Sequence, residues 1–385
     1  MSADLGTLVF GQPLIGEAEI QEVEDTLRSG WIGCGPRTKR FEADFAAYKS
    51  VDEALALNSG TSALFHALNA AGIGPGDEVI TTALTFVATV NAIIHVGASP
   101  VIVDVDVRTQ NIDPLKIAQA ITPKTKAILP VHIAGLPCDM DAILKIADAH
   151  RLLVIEDAAH AIETEYKGRK AGTMGDFGCF SFYPTKNLTT GEGGMLLAKD
   201  NADLARARSR SAHGLSADAY KRYTSSTFAH YRATDVGYKN NMSDLQAALG
   251  IHQLARLDEN WLIRRDHWMR YHDGLSDLGL VLPALPDADM RHAYHLFALR
   301  VTPQFGETRD DFIKQMNAQG IGCGVHFLSI ADHPYHEDLL GLSGADYQNA
   351  NLISSQTVSI PLSAKLTVDD IDRVIAAVKI IFDSK

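Results

Sequence analysis

Short runs of consecutive apolar residues punctuate the first half of the chain, at 54–57, 78–82, 100–105, 127–131, 152–156, 178–182 and 194–198. Because neighbouring positions are apolar, rather than alternate ones, each run predicts a strand buried on both faces. Helical spacing of apolar residues fills several of the gaps, as over 139–150. This alternation predicts an α/β domain built on a mostly parallel sheet with helices on both faces. After about residue 250 the pattern changes. Ala247, Ile251, Leu254 and Leu257 form one stripe, predicting a helix that begins near Met242 and runs on as one long connector into the charged and aromatic stretch 260–271. Strand-like 295–301 and 324–327, with a helix near 310–319 between them, predict a smaller α+β domain. Thr367 and Asp370 have capping-box spacing before a last helix whose Ile371, Val374, Ile375, Val378, Ile381 and Phe382 share a face. The reading divides the chain into a large domain, 1–255, and a small C-terminal one, 256–385, with the first residues free to pack on the latter.

Composition narrows the class. The 385 residues suit two domains. A net charge of −12 argues against general affinity for nucleic acid or anionic membrane. No apolar run is long enough to span a bilayer. Met1-Ser2-Ala3-Asp4 begins no basic-then-apolar leader, so a cytoplasmic location is expected. Cys34, Cys138, Cys179 and Cys323 lack zinc-site spacing and read as reduced thiols. No metal is expected.

The candidate chemistry lies at the ends of the predicted strands. Phe180-Ser181-Phe182-Tyr183-Pro184-Thr185-Lys186-Asn187 delivers a lysine from an apolar run just before Gly191-Glu192-Gly193-Gly194. An ordinary lysine is solvated; this one has aromatic neighbours that would desolvate its amine and lower its pKa. Asp157 ends another apolar run, where open α/β sheets place their sites; an Asp there is also a common helix cap. An amine and a buried carboxylate so delivered are what pyridoxal phosphate requires: a Schiff-base partner for its aldehyde and an anion for its ring nitrogen. Asn58-Ser59-Gly60-Thr61-Ser62 follows a strand and opens a helix, so free amides at Gly60 and the Thr61 and Ser62 hydroxyls make an anion site. Alone it would be a plain N-cap; beside Lys186 and Asp157 it becomes a phosphate cup. Ser181 reads either as a further phosphate contact or as a buried hydroxyl bonded to backbone. His160 reads equally as a core histidine or as a partner of Asp157 or of the cofactor's phenolic oxygen. Phe86, taken alone, reads as a core aromatic.

The run of motifs 58–64, 74–80, Glu156-Asp157-Ala158-Ala159-His160-Ala161, 180–187, 191–194 and Asn241-Met242-Ser243-Asp244-Leu245-Gln246 resembles the DegT/DnrJ-type sugar aminotransferases, which are fold-type-I pyridoxal phosphate enzymes, over nearly the whole chain. The resemblance implies a seven-stranded, mostly parallel sheet in the large domain. It makes Lys186 the Schiff-base lysine, Asp157 the pyridinium partner, Phe86 the ring-stacking aromatic and His160 a residue beside the ring. Gly60, Thr61, Ser62 and Ser181 become phosphate contacts. Asn241 would reach the phosphate of a neighbouring subunit, implying a homodimer with shared active sites, and His326 would lie near the substrate. Gly237-Tyr238-Lys239-Asn240-Asn241-Met242, with asparagine in the fifth place, and His213-Gly214-Leu215-Ser216 with Asp218-Ala219-Tyr220 are similar to the branch that includes UDP-4-amino-4-deoxy-L-arabinose–oxoglutarate aminotransferases.

The implied activity moves an amino group from an amino acid, L-glutamate by resemblance, through pyridoxamine phosphate to a nucleotide-linked 4-keto sugar. Lys186 would carry the proton between carbon atoms. Two alternatives stand beside it: a sugar dehydratase of the same fold, in which histidine replaces the lysine, and a non-catalytic regulator that binds the cofactor. A nicotinamide enzyme is rejected because Gly33-Cys34-Gly35-Pro36 lacks a third glycine and a preceding strand. Arg37, Lys39, Arg222 and Arg232 are all candidates for the donor carboxylate. The loops 224–234 and 327–336 are candidates for choosing the sugar.

Overall fold

A computed structural model describes residues 6–215 and 232–384. Arg222, the end of the 213–220 motif and most of the 224–234 loop lie outside the described residues. In chain order the strands are β1 (Leu55–Leu57), β2 (Glu78–Thr82), β3 (Ser99–Val103), β4 (Thr125–Leu129), β5 (Leu153–Asp157), β6 (Glu165–Tyr166), β7 (Arg169–Lys170), β8 (Phe177–Ser181), β9 (Gly194–Ala198), β10 (Met290–Arg291), β11 (Phe297–Arg300) and β12 (Thr357–Ile360). All seven strands expected in the first half join one sheet in the order β1-β9-β8-β5-β4-β2-β3. From β8 to β3 the pairings are parallel, while β9 runs antiparallel to both β1 and β8.

The alternation of side chains along β5 and β8 sets up the site. Ile155, Phe177 and Cys179 belong to the buried cluster that packs on the helix Gly60–Ala70, through Leu64, Ala67 and Leu68. Val154 and Phe180 face clusters on the other side. Since strand side chains repeat every second residue, Asp157 and Ser181 project on the same side as that helix. Register places Asp157 beside Cys179, so both polar groups emerge at the carboxyl edge of the sheet. Burial of Leu57, Leu64 and Leu68 contributes roughly 1.5–3 kcal/mol each to fixing the helix against the strands.

Another buried cluster joins Trp268, Tyr271, Phe297, Phe312, Val358 and the last helix, Val368–Asp383, with Leu8 packed against it. The expected Thr367–Asp370 capping box is present. Three expectations are corrected. The connector is two helices, Asp244–Ala255 and Leu257–Leu275, because Arg256 leaves helical geometry (φ −110°, ψ 15°). The segment 324–327 is not a strand: Gly324 exchanges backbone bonds with Ser359, and the ladder stops there. A three-stranded sheet, β10-β6-β7, was not anticipated.

Candidate active site

A cavity of about 390 Å³ opens at the carboxyl ends of β5 and β8. Asp157 lies at its inner wall, 5 % exposed. Its Oδ2 accepts from the Thr89 hydroxyl at 2.9 Å and its Oδ1 from the Ala159 amide at 3.1 Å. Burial pushes the carboxyl up from the ordinary Asp value, while Thr89, Ala159 and the charge of Lys186 pull it partly back. A carboxylate held this way is short of one cation. Lys186 stands on the same wall, in the loop after β8. Desolvation lowers its amine to about 8 and the charge of Asp157 opposes the shift, so a usable fraction of free amine exists near neutral pH.

The anion end is formed by the start of the helix Gly60–Ala70. Ser59 caps it by accepting from the Ser62 amide at 3.1 Å. Glycine at 60 is required by close packing: a Cβ there would stand 2.7 Å from Ser181 Cβ. The helix start and the end of β8 thus make one cradle, with Ser59, Gly60, Thr61 and Ser181 on the cavity wall. Ser62 does not line it. Its hydroxyl donates to Asn58 Oδ1 at 2.7 Å and accepts from Asn240 at 3.2 Å, so Ser62 holds the cap together from behind.

Phe86 is 58 % exposed on the cavity wall, with its ring 6.0 Å from that of Phe327; it is not a core aromatic. His160 is buried on the same wall and stacks on Phe327 at 5.7 Å. Its Nδ1 accepts from the Ala134 amide at 3.2 Å. Burial, and then the charge of Lys186, hold its pKa well below the ordinary value, so the ring is neutral and carries its proton on Nε2. His326 lines the cavity with Nδ1 2.9 Å from Ser359 Oγ, and burial lowers it to about 4. Asn241 does not line this cavity; its side chain bonds to Lys239 at 2.6 Å and to its own neighbour's carbonyl. Arg37 is also elsewhere, paired with Glu22 at 2.7 Å, and neither Lys39 nor Arg232 reaches the wall.

Sequence reasoning passed over Thr89, Ser59, Phe327 and His295, all on the wall. Thr85 and Thr89, four apart at a helix start and 2.8 Å from each other, were a readable sign of a polar face toward the sheet end.

The match of the whole chain decides its kinship. Residues 13–379 fit the DegT/DnrJ/EryC1/StrS aminotransferase family. The chain belongs to that family. It is 49 % identical over 375 residues, covering 97 % of this chain and 96 % of the relative, to the spore coat polysaccharide biosynthesis protein SpsC of Bacillus subtilis (strain 168). The putative sugar aminotransferase Spr1654 of Streptococcus pneumoniae, in its PMP-form, superposes with a TM-score of 0.91 at 33 % identity over 98 % of each chain. Its PLP-form matches equally well, covering 98 % of this chain and 99 % of that one. The aminotransferase TlmJ of Streptoalloteichus hindustanus follows at 0.89 and 32 %, covering 98 % of this chain and 99 % of that one. This DegT/DnrJ/EryC1/StrS member is therefore a pyridoxal phosphate-dependent aminotransferase of fold type I, with sugar aminotransferases as structural neighbours. Its cavity suits the cofactor: a buried anion without a cation at one end, an amine on the wall, and a helix start, which a Cβ at 60 would fill, at the other.

Proposed function

We propose that this enzyme transfers an amino group from L-glutamate to a nucleotide-linked 4-keto sugar. The observation that carries the aminotransferase chemistry into particular residues is the meeting of Lys186, Asp157 and the Gly60 helix start on one cavity. When bound, pyridoxal phosphate supplies an aldehyde to hold an amine and a ring that takes up the electron pair left by a departing proton. In this reading Asp157 keeps the ring nitrogen protonated, and the partial charge of the helix start with the Ser59, Thr61 and Ser181 hydroxyls holds the phosphate. Phe86 and His160 flank the ring, and the Nε2–H of His160 is directed to an oxygen acceptor. Lys186 first binds the aldehyde and later, as a free amine, takes a proton from the donor's α-carbon and returns one to the cofactor's reactive carbon. Its lowered pKa supports that double use.

The sugar assignment rests on the family and on the kind of molecule its relatives serve, SpsC being a polysaccharide biosynthesis protein. The 237–242 segment favours the 4-keto class. We read the assembly as a homodimer in which Asn241 serves the partner's phosphate; its position off its own cavity supports this. The separate cluster around Trp268 and Phe297 supports a small domain beginning near 256, with Leu8 docked on it.

The test is to load the protein with pyridoxamine phosphate and add UDP- and dTDP-linked 4-keto sugars one at a time. Return of the pyridoxal absorbance with one of them, and multiple turnovers when glutamate is added, is the expected result. Binding without turnover would instead make the protein a regulator, and no response to any keto sugar would remove the acceptor assignment.

A further inference from the structure

His295 precedes β11 and is buried on the cavity wall, its ring 4.4 Å from that of His160. A chain of polar groups fixes which of its nitrogens holds the proton. Arg264, on the helix Leu257–Leu275, forms a buried ion pair with Glu163. The other oxygen of Glu163 accepts from the Asn187 amide nitrogen at 2.9 Å, and the same nitrogen donates to the Ala293 carbonyl at 3.0 Å. With both of its N–H groups so committed, Asn187 turns its oxygen to His295 Nδ1, 3.0 Å away. Flipping the amide would set oxygen against a carboxylate and a carbonyl, so the orientation is forced. His295 Nδ1 must therefore donate. Burial, and then the charge of Lys186, hold the ring neutral. What remains is a lone pair on Nε2, which has no partner among the described residues and is not sealed from the cavity.

The two neighbouring histidines are thus fixed in opposite tautomers. His160, locked by the Ala134 amide, offers an N–H; His295, locked by Asn187, offers an acceptor. A pyridoxal ring gives His160 an oxygen to donate to, but provides no obvious donor for His295. A sugar is rich in hydroxyl donors. We propose that His295 is a specificity-determining residue whose Nε2 accepts a hydroxyl of the keto-sugar acceptor, with Asn187 as its positioning residue. The proposal rests on the sugar-acceptor reading above.

The experiment separates the two half-reactions. Single turnover of the holoenzyme with L-glutamate reports the donor half; single turnover of the pyridoxamine form with a UDP-linked 4-keto hexose reports the acceptor half. His295→Asn keeps an amide near the position of Nδ1, able to bond Asn187, but withdraws the group at Nε2. His295→Gln puts an amide oxygen within reach of the Nε2 position. The asparagine variant is expected to lose about tenfold or more in kcat/KM of the acceptor half, with the donor half within about threefold of wild type, and glutamine to recover part of the loss. Removing single hydroxyls from the sugar should then identify one whose loss affects wild type but not His295→Asn. Equal losses in both halves would assign His295 to Lys186 or to the fold and overturn the proposal. Unchanged acceptor kinetics in His295→Asn would also overturn it. If wild type itself reacts with glutamate but with no keto sugar, the acceptor reading fails and the proposal falls with it, an outcome visible before any variant is made.

Discussion

Gly60→Ala puts the cradle to a quantitative test. The new methyl would lie 2.7 Å from Ser181 Cβ, 3.1 Å from its Oγ and 3.2 Å from its Cα. Carbon atoms pack comfortably at about 3.5–4.0 Å, so the overlap approaches ~1 Å. Neither side yields easily, because Gly60 opens a helix packed on the sheet and Ser181 closes β8, which is paired on both edges. Overpacking of this kind costs about 1–3 kcal/mol. Alanine returns up to about 1 kcal/mol through helix propensity, leaving a net loss of roughly 0–2 kcal/mol in the protein without cofactor. Binding should suffer more, since relief of the overlap moves the helix start away from the serine that shares the anion with it. A rise in cofactor Kd of about tenfold or more, equal to about 1.4 kcal/mol, is expected from equilibrium dialysis of the apoprotein. Ser181→Gly deletes the obstructing atoms, so the double variant should have the melting temperature of Ser181→Gly alone while still binding the cofactor weakly. A Gly60→Ala protein with wild-type Kd and melting temperature would refute the packing argument.

Asp157→Asn should leave turnover lower by on the order of 100-fold, measured as oxoglutarate formation, because the ring nitrogen loses its anion. The same change should not destabilise the apoprotein. The folded carboxyl titrates above its unfolded value, so its ionisation lowers stability as pH rises through that value, and a neutral amide escapes the penalty. Apo Asp157→Asn should therefore melt at or above wild type at pH 7.5; a marked drop would contradict the desolvated-anion picture. Attachment of pyridoxal phosphate to the apoprotein should speed up from pH 6.5 to 8.5 and level off above, since only the free amine condenses and Lys186 titrates at about 8. A stopped-flow midpoint near the ordinary lysine value would oppose this.

The seven strands of the main sheet were legible because a sheet covered on both faces writes itself as consecutive apolar residues. Asp157 and Lys186 were legible for the same reason: each ends, or closely follows, such a run. The β10-β6-β7 sheet was not, because strands of two residues have no periodicity to read. The helix break at Arg256 has no proline or glycine to announce it; it follows instead from the packing of two helices with different partners. The motif 59–62 offers three hydroxyls, and only three-dimensional packing separates those of Ser59 and Thr61, on the cavity, from that of Ser62, which ties Asn58 to Asn240. Phe86 read as core because most isolated aromatics are; its exposure is a property of where β2 ends and the next helix begins. His295 was invisible as a site residue because a histidine beside a strand reads as core until Asn187, Glu163 and Arg264 are seen to meet behind it.

The central claim is that one amine, on Lys186, carries the cofactor opposite Asp157. Reduction of the holoenzyme with borohydride, followed by proteolysis and mass spectrometry, tests it most directly. A phosphopyridoxyl group on the peptide containing Lys186, and on no other lysine, is the expected result; the group on another lysine, or on none, would contradict the account.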